Sequence, residues 1–176
     1  VVYGGVLCTF LNYADRVKIA CQSLLVNEGG MISTQPGGAA IRQTTFYPFR
    51  DVAHHAKGVA LKAVCEIDLC ETGHHGQHVA LETAATFDAD SGRLAVFIAN
   101  HDLNDDYCLR LQLNGFMALK PVSHTQLQSD DYRQVNSFER PDNVVPVSLT
   151  LAAPDNGQLT LVVLRHSWNM LIFELI

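Results

Sequence analysis

Charge is scarce in this 176-residue sequence: Lys, Arg, Asp and Glu together make up 17% of it. No apolar run reaches the roughly 18 residues that a membrane-spanning helix needs, so no membrane association is expected. No basic stretch precedes an apolar segment near the start, so no secretory signal is expected either. Twelve Lys and Arg stand against eighteen Asp and Glu, for a net charge of −6. Nucleic-acid binders draw most of their affinity from cations on phosphates, so that class is excluded. No CxxC pair occurs among Cys8, Cys21, Cys65, Cys70 and Cys108. The odd count, with three of the five inside apolar segments, points to reduced, buried thiols in a cytoplasmic protein. The phosphate-loop pattern, in which Lys follows the last Gly of a GxxxxG run, is absent as well.

What is present is enough for a core. Hydrophobic residues make up 48%, and a compact chain of this size buries roughly 70% of its unfolded surface. Charge is unevenly spread. Residues 1–57 carry five Lys/Arg and three Asp/Glu, whereas residues 58–176 carry seven and fifteen. That asymmetry places a boundary near Gly58.

The two parts also differ in pattern. Val2, Val6, Phe10 and Tyr13 recur at helical spacing, and Asp15-Arg16 ends that apolar face. Residues 17–26, VKIACQSLLV, form a near-continuous apolar run, as in a parallel strand buried on both faces. A loop with four glycines and a proline follows over 27–40. Residues 42–57 then read as a helix, delayed or bent at Pro48 and capped by Gly58. From residue 59 short apolar stretches alternate with turn signals. Strands are predicted over 59–68, 78–87, 93–100, 107–113, 116–127, 144–152, 158–165 and 169–175. Eight short strands without helical interruption predict an antiparallel sandwich or barrel. The lone parallel-type strand at 17–26 has no neighbours in the chain. It is expected to dock on the sandwich or to pair with the same strand of another copy.

Four separated motifs carry a resemblance: ADRVKIACQSLLVN at 14–27, RQTTFYPF at 42–49, SFERPDNVVP at 137–146 and HSWNMLIF at 166–173. Together they resemble glycoside hydrolase family fifty-one, the intracellular α-L-arabinofuranosidases. The resemblance implies a mainly β chain. Residues 1–57 would be a helix–strand–helix remnant of a (β/α)₈ catalytic barrel, and residues 58–176 a C-terminal antiparallel β-sandwich of jelly-roll type. It implies a retaining glycosidase with two glutamates, an acid/base and a nucleophile, on barrel strands upstream of Val1. No catalytic residue is then expected in this chain, and no cofactor. The expected partners are arabinofuranosyl-containing glycans bound by the parent enzyme, the rest of its own barrel, and further copies in a homo-oligomer. The family places a sugar-binding Gln where this sequence has Leu24, and a Trp where it has Ile41. Gln22, two residues deeper on the same strand face, is a candidate substitute. Asn27 and Glu28 open the following loop and are candidates for the rim of the sugar-binding cleft. Alternative readings are a free-standing carbohydrate-binding sandwich and a purely structural module.

Other chemistry-bearing residues have plainer readings. His74, His75 and His78, with Cys65 and Cys70, offer zinc-type ligands, but the Cys65-x4-Cys70 spacing is not a standard knuckle and the stretch reads as a solvated hairpin. No metal is expected. Glu66, Asp68 and Glu71 read as a solvated strand face. Trp168, the only tryptophan, reads as a buried anchor between layers rather than as a sugar platform.

Overall fold

The computed structural model describes residues 1–67, 69–72 and 76–176, with Cys70 and Thr72 described by backbone alone. Helix α1 spans Val2–Asn12, followed by β1 (Ile32–Thr34), β2 (Ala40–Arg42) and α2 (Phe46–His55). The strands β3 (Val59–Leu61), β4 (Leu69–Thr72), β5 (Gly76–Val79), β6 (Leu81–Asp88), β7 (Arg93–Asn100) and β8 (Tyr107–Gln112) come next. The chain ends with β9 (Leu119–Gln128), β10 (Val147–Leu149), β11 (Gln158–Val163) and β12 (Ser167–Leu175).

A six-stranded sheet in the order β10-β9-β12-β7-β6-β3 is the backbone of the fold. All its pairings are antiparallel. β7 and β12 lie at its centre and are buried along nearly their whole length, which is why RLAVFIAN and SWNMLIFEL read as continuous apolar runs rather than alternating ones. Alternation sorts their side chains between two cores. Leu94, Val96, Ile98, Leu171 and Phe173 face one core, which the antiparallel pair β8–β11 covers with Leu109, Leu111, Leu159, Leu161 and Val163. Ala95, Phe97, Ala99, Trp168, Met170 and Ile172 face the other, closed by Cys8 of α1 and by Tyr47 and Val52 of α2. The architecture is therefore a β-sandwich with a helical layer on its outer face. Between Ile172 and Phe173 the β9–β12 register shifts, with Pro121 opposite Phe173. A residue without an N–H is tolerated at such an irregularity.

Several element boundaries differ from the sequence reading, for physical reasons. Helix α2 starts four residues later than 42, because 40–42 pair with β1 instead. Pro48 sits in the first turn, where its missing N–H is one the helix could not use anyway. The stretch 59–68 pairs with β6 only over Val59–Leu61, and 144–152 pairs only over Val147–Leu149. Gly58 takes a φ of +75°. A Cβ there would collide with the Phe87 carbonyl, so the chain can leave α2 and enter β3 only through glycine.

The largest departure is at residues 17–26. Among the described residues they form no ladder, and their one pairing is an isolated parallel bridge between Val26 and Ile32. Nor does the segment dock on the sandwich. Ile19 is 83% exposed and Leu24 58%. A strand exists through its partners' hydrogen bonds, and no described residue of this chain supplies them.

Candidate functional site

The residues singled out for sugar binding, Gln22, Leu24, Asn27 and Glu28, lie toward the N-terminal end of the chain along 17–30, with Ile41 in the β1–β2 hairpin that follows. Gln22 is fixed to α1: the Tyr3 hydroxyl donates to its Oε1 at 2.9 Å, and its own Nε2 donates to the Ser23 carbonyl at 3.0 Å. Leu24 has a left-handed φ of 52°. The strand alternation that would align Gln22 with Leu24 therefore does not run through Leu24. Asn27 is the organiser of the following turn. Its Nδ2 donates to Thr34 Oγ1 at 3.0 Å, its Oδ1 accepts from Thr34 N–H at 2.8 Å, and its carbonyl accepts from Gly30 N–H at 2.6 Å. Asn27, Glu28 and Gly29 have φ of 58°, 42° and 84°. Asn tolerates the left-handed region better than most residues, which suits it to start such a turn. Glu28 projects from the tip, exposed. Ile41 is buried in β2.

This end is tied to the sandwich by buried polar contacts that the sequence did not reveal. Asn136 donates from Nδ2 to the carbonyls of Arg42 and Val144, at 2.9 and 3.1 Å, and accepts from Val144 N–H at 2.7 Å. It thus clamps the SFERPDNVVP loop to the RQTTFYPF motif. Trp168 does the same for HSWNMLIF. Its indole N–H donates to Asp51 Oδ2 at 3.0 Å, and Arg50 holds the other oxygen through Nη2 at 2.6 Å and Nε at 3.0 Å. Trp168 is 1% exposed and stacks on Phe97, with centroids 5.8 Å apart and planes 19° apart. Its other neighbour is Gly4 of α1, where a Cβ would lie 2.5 Å from the indole. Gly4 thus permits close packing of the first helix against the ring, while Gly5 does the same against His101 and Glu82. Trp168 lies between the sheet and the helical layer, as a buried anchor.

Among the described residues the glutamates are not placed as a pair for glycoside chemistry. Glu28, Glu66, Glu71 and Glu139 are exposed on turns, loops and the β4–β5 hairpin, and Glu174 ends β12. Glu82 is the exception, half-buried beneath α1, with Oε1 3.7 Å from His101 Nε2. Burial pushes the nearby Cys8 thiol far above its ordinary value, and Glu82 adds to this. A thiol so protonated is inert. Among the described residues no three His, Cys, Asp or Glu side chains gather to hold a metal. Asp68, His74 and His75 lie outside the described residues.

Burial lowers the pKa of His101, against the pull of Glu82. The folded chain binds a proton here less readily than the unfolded chain, which takes one up below about pH 6.5. The unfolded state binds more protons there, so His101's contribution is complete above that value and is lost as pH falls. Calorimetry is expected to show Tm falling on acidification, and His101→Gln to flatten the fall. An identical slope in the variant would contradict this.

A family model for the α-L-arabinofuranosidase C-terminal domain matches residues 1–167. An exo-α-(1→6)-L-arabinofuranosidase of Bifidobacterium longum is 35% identical over 174 residues, and an intracellular exo-α-(1→5)-L-arabinofuranosidase of Acetivibrio thermocellus is 31% identical over 169. Each alignment covers 96% of this chain and 33% of the relative. The solved structure of a family 51 α-L-arabinofuranosidase from Bifidobacterium longum superposes with a TM-score of 0.90 at 31% identity, over 98% of this chain and 33% of that one. The antiparallel sandwich with its helical layer is thus the fold this chain shares with that solved arabinofuranosidase. The chain belongs to the α-L-arabinofuranosidase C-terminal domain family. It spans about a third of the length of the curated relatives it matches.

Proposed function

We propose that this chain is the C-terminal region of a retaining α-L-arabinofuranosidase that releases terminal arabinofuranosyl residues from oligo- and polysaccharides inside the cell. Residues 1–57 are the end of its catalytic barrel and residues 58–176 its bracing sandwich. The acid/base and nucleophile glutamates belong to the rest of the barrel, and the whole enzyme assembles as a homo-oligomer. The observation that carries this reading is the apolar, unladdered segment 17–26 in a chain aligned to one third of its relatives. A run of this composition is stable as a central barrel strand and costly in water. In that setting Gln22, Leu24, Asn27 and Glu28 lie near the sugar-binding cleft, with Asn27 shaping the turn.

The test is the longer protein's activity on an aryl α-L-arabinofuranoside, with the anomeric configuration of the first product followed by NMR. Turnover with retention is expected; no turnover, or inversion, would overturn the reading. In the same protein Leu24→Gln is expected to raise kcat/KM by roughly two- to tenfold, since one hydrogen bond to a sugar hydroxyl is worth about 0.5–1.5 kcal/mol. An unchanged or lowered value would remove Leu24 from the cleft.

A further inference from the structure

Two Asn-Gly pairs occur in the sequence, Asn114-Gly115 and Asn156-Gly157, and the fold seats them against each other in turns of different kinds. Leu113–Phe116 is a type II turn: the Phe116 N–H donates to the Leu113 carbonyl at 3.0 Å, and of the two central residues only Gly115 has a positive φ, of 87°. Asp155–Gln158 is a type I′ turn, with φ of 48° at Asn156 and 74° at Gly157. Its ends exchange two backbone hydrogen bonds, both of 2.8 Å. The Gly157 carbonyl accepts from Leu113 N–H at 2.7 Å, so the two turns are tied together.

An asparagine followed by glycine can cyclise. The glycine nitrogen gives its proton to solvent base and attacks Cγ of the asparagine side chain. The Cγ–Nδ2 bond breaks, and the nitrogen leaves as ammonia. Water then opens the five-membered succinimide at either carbonyl, giving aspartate or isoaspartate; in the latter the main chain runs through Cγ. Glycine favours the attack because it carries no Cβ to crowd it. The step is intramolecular, so its rate follows how freely nitrogen and carbon reach contact distance.

That freedom differs between the two pairs. Asn114 and Gly115 are both exposed. No atom lies within 4 Å of where a Cβ on Gly115 would stand. Among the described residues no hydrogen bond holds the Asn114 side chain or the Gly115 N–H. At the other pair, Gly157 is buried, and a Cβ there would lie 3.3 Å from the carbonyl oxygens of Leu113 and Phe116. Asn156 Nδ2 donates to Asp155 Oδ1 at 3.0 Å.

We propose that Asn114 is a site of covalent modification in the folded protein, converting through a succinimide to aspartate and isoaspartate, and that the fold protects Asn156 from the same reaction. An isoaspartate at 114 inserts one more main-chain carbon inside the turn that Phe116 N–H closes on Leu113. Phe116 packs edge-on against Phe87, with centroids 5.0 Å apart, at the margin of the core under β8 and β11. The modified turn therefore loosens the path from β8 to β9, and it adds a negative charge to a chain whose net charge is already −6. None of this draws on the enzymatic reading.

The experiment incubates the 176-residue chain in mildly alkaline buffer, once folded and once in denaturant, and digests it with trypsin. Cleavage at Arg133 puts the two asparagines in separate peptides. Conversion is read by mass and by methylation with an isoaspartate-specific carboxyl methyltransferase. In the folded chain Asn114 is expected to convert about tenfold faster than Asn156 or more, a barrier difference of about 1.4 kcal/mol. In denaturant the two are expected to convert at similar rates. Folded Asn114→Ser is expected to take no methyl label and to keep its Tm through the incubation, while Tm of the unsubstituted chain falls. Equal rates in the folded chain, faster conversion at Asn156, or the same preference for Asn114 in denaturant would overturn the proposal.

Discussion

The isolated 176-residue chain is expected to hydrolyse aryl α-L-arabinofuranosides no faster than the buffer does. A retaining glycosidase needs a proton donor and a carboxylate nucleophile about 5–5.5 Å apart across one anomeric carbon. Of this chain's glutamates, four stand exposed on turns, loops or a hairpin, and one ends a strand. Glu82, the remaining one, is half-buried beneath α1 and faces His101 rather than a second carboxylate. Binding without transition-state stabilisation does not accelerate the chemistry, so the sandwich alone forfeits the rate enhancement. Side-by-side assays with the longer protein check this. Turnover that tracks with chain concentration through successive purification steps would place the catalytic groups here after all.

Trp168→Ala is expected to be the most damaging single change to stability. Truncating a buried aromatic costs about 3–5 kcal/mol through lost transfer energy and the cavity left behind. Here it also removes the stack on Phe97 and the surface against which Gly4 packs, and it takes from the buried Asp51 its indole donor, leaving Arg50 alone to hold it. For a domain of this length each kcal/mol is worth about 2–4 °C, so Tm falls by about 6–20 °C. Trp168→Phe keeps an aromatic ring but not the N–H, and its smaller loss isolates the bond to Asp51. Thermal melts of the three proteins decide this. Equal losses for Ala and Phe would mean that the hydrogen bond, not the packing, is the anchor.

Much of this fold was legible because its strands obey simple patterning. β7 and β12 are central, so their apolar runs are unbroken. Asp90-Ser91-Gly92 marks the β6–β7 turn, where Asp88 accepts from Asp90 N–H and from the Ser91 hydroxyl. The anchoring role of Trp168 was read from its place beside the last strand, although the structure puts it inside that strand, as the second residue of β12. Three things were not legible. Periodicity cannot show that α1 and α2 lie on the sheet and share its core, because amphipathic spacing names a buried face and not its partner. The Trp168–Asp51 and Asn136–Arg42 contacts join residues 117 and 94 positions apart, and no local signal encodes such pairs. Residues 17–26 were read as an apolar strand without neighbours in the chain; no ladder forms there, because composition cannot say where an unpartnered segment goes. In the candidate site, Asn27 was singled out for its position at the loop entrance, and the structure gives it a scaffolding task through Thr34 and Gly30. The left-handed Leu24 had no sequence signal, since leucine seldom adopts that conformation.

In the proposed longer enzyme, residues 17–26 are expected to be a strand whose ladder partners belong to the rest of the barrel. Amide hydrogen exchange of this segment, measured in the isolated chain and in the longer protein, tests that directly. In the isolated chain these amides are expected to exchange nearly as fast as in an unfolded peptide, while β7 and β12 stay protected. In the longer protein the same amides should slow by about a thousandfold or more, as central ladder positions do. Equal, rapid exchange of 17–26 in both proteins would contradict the account.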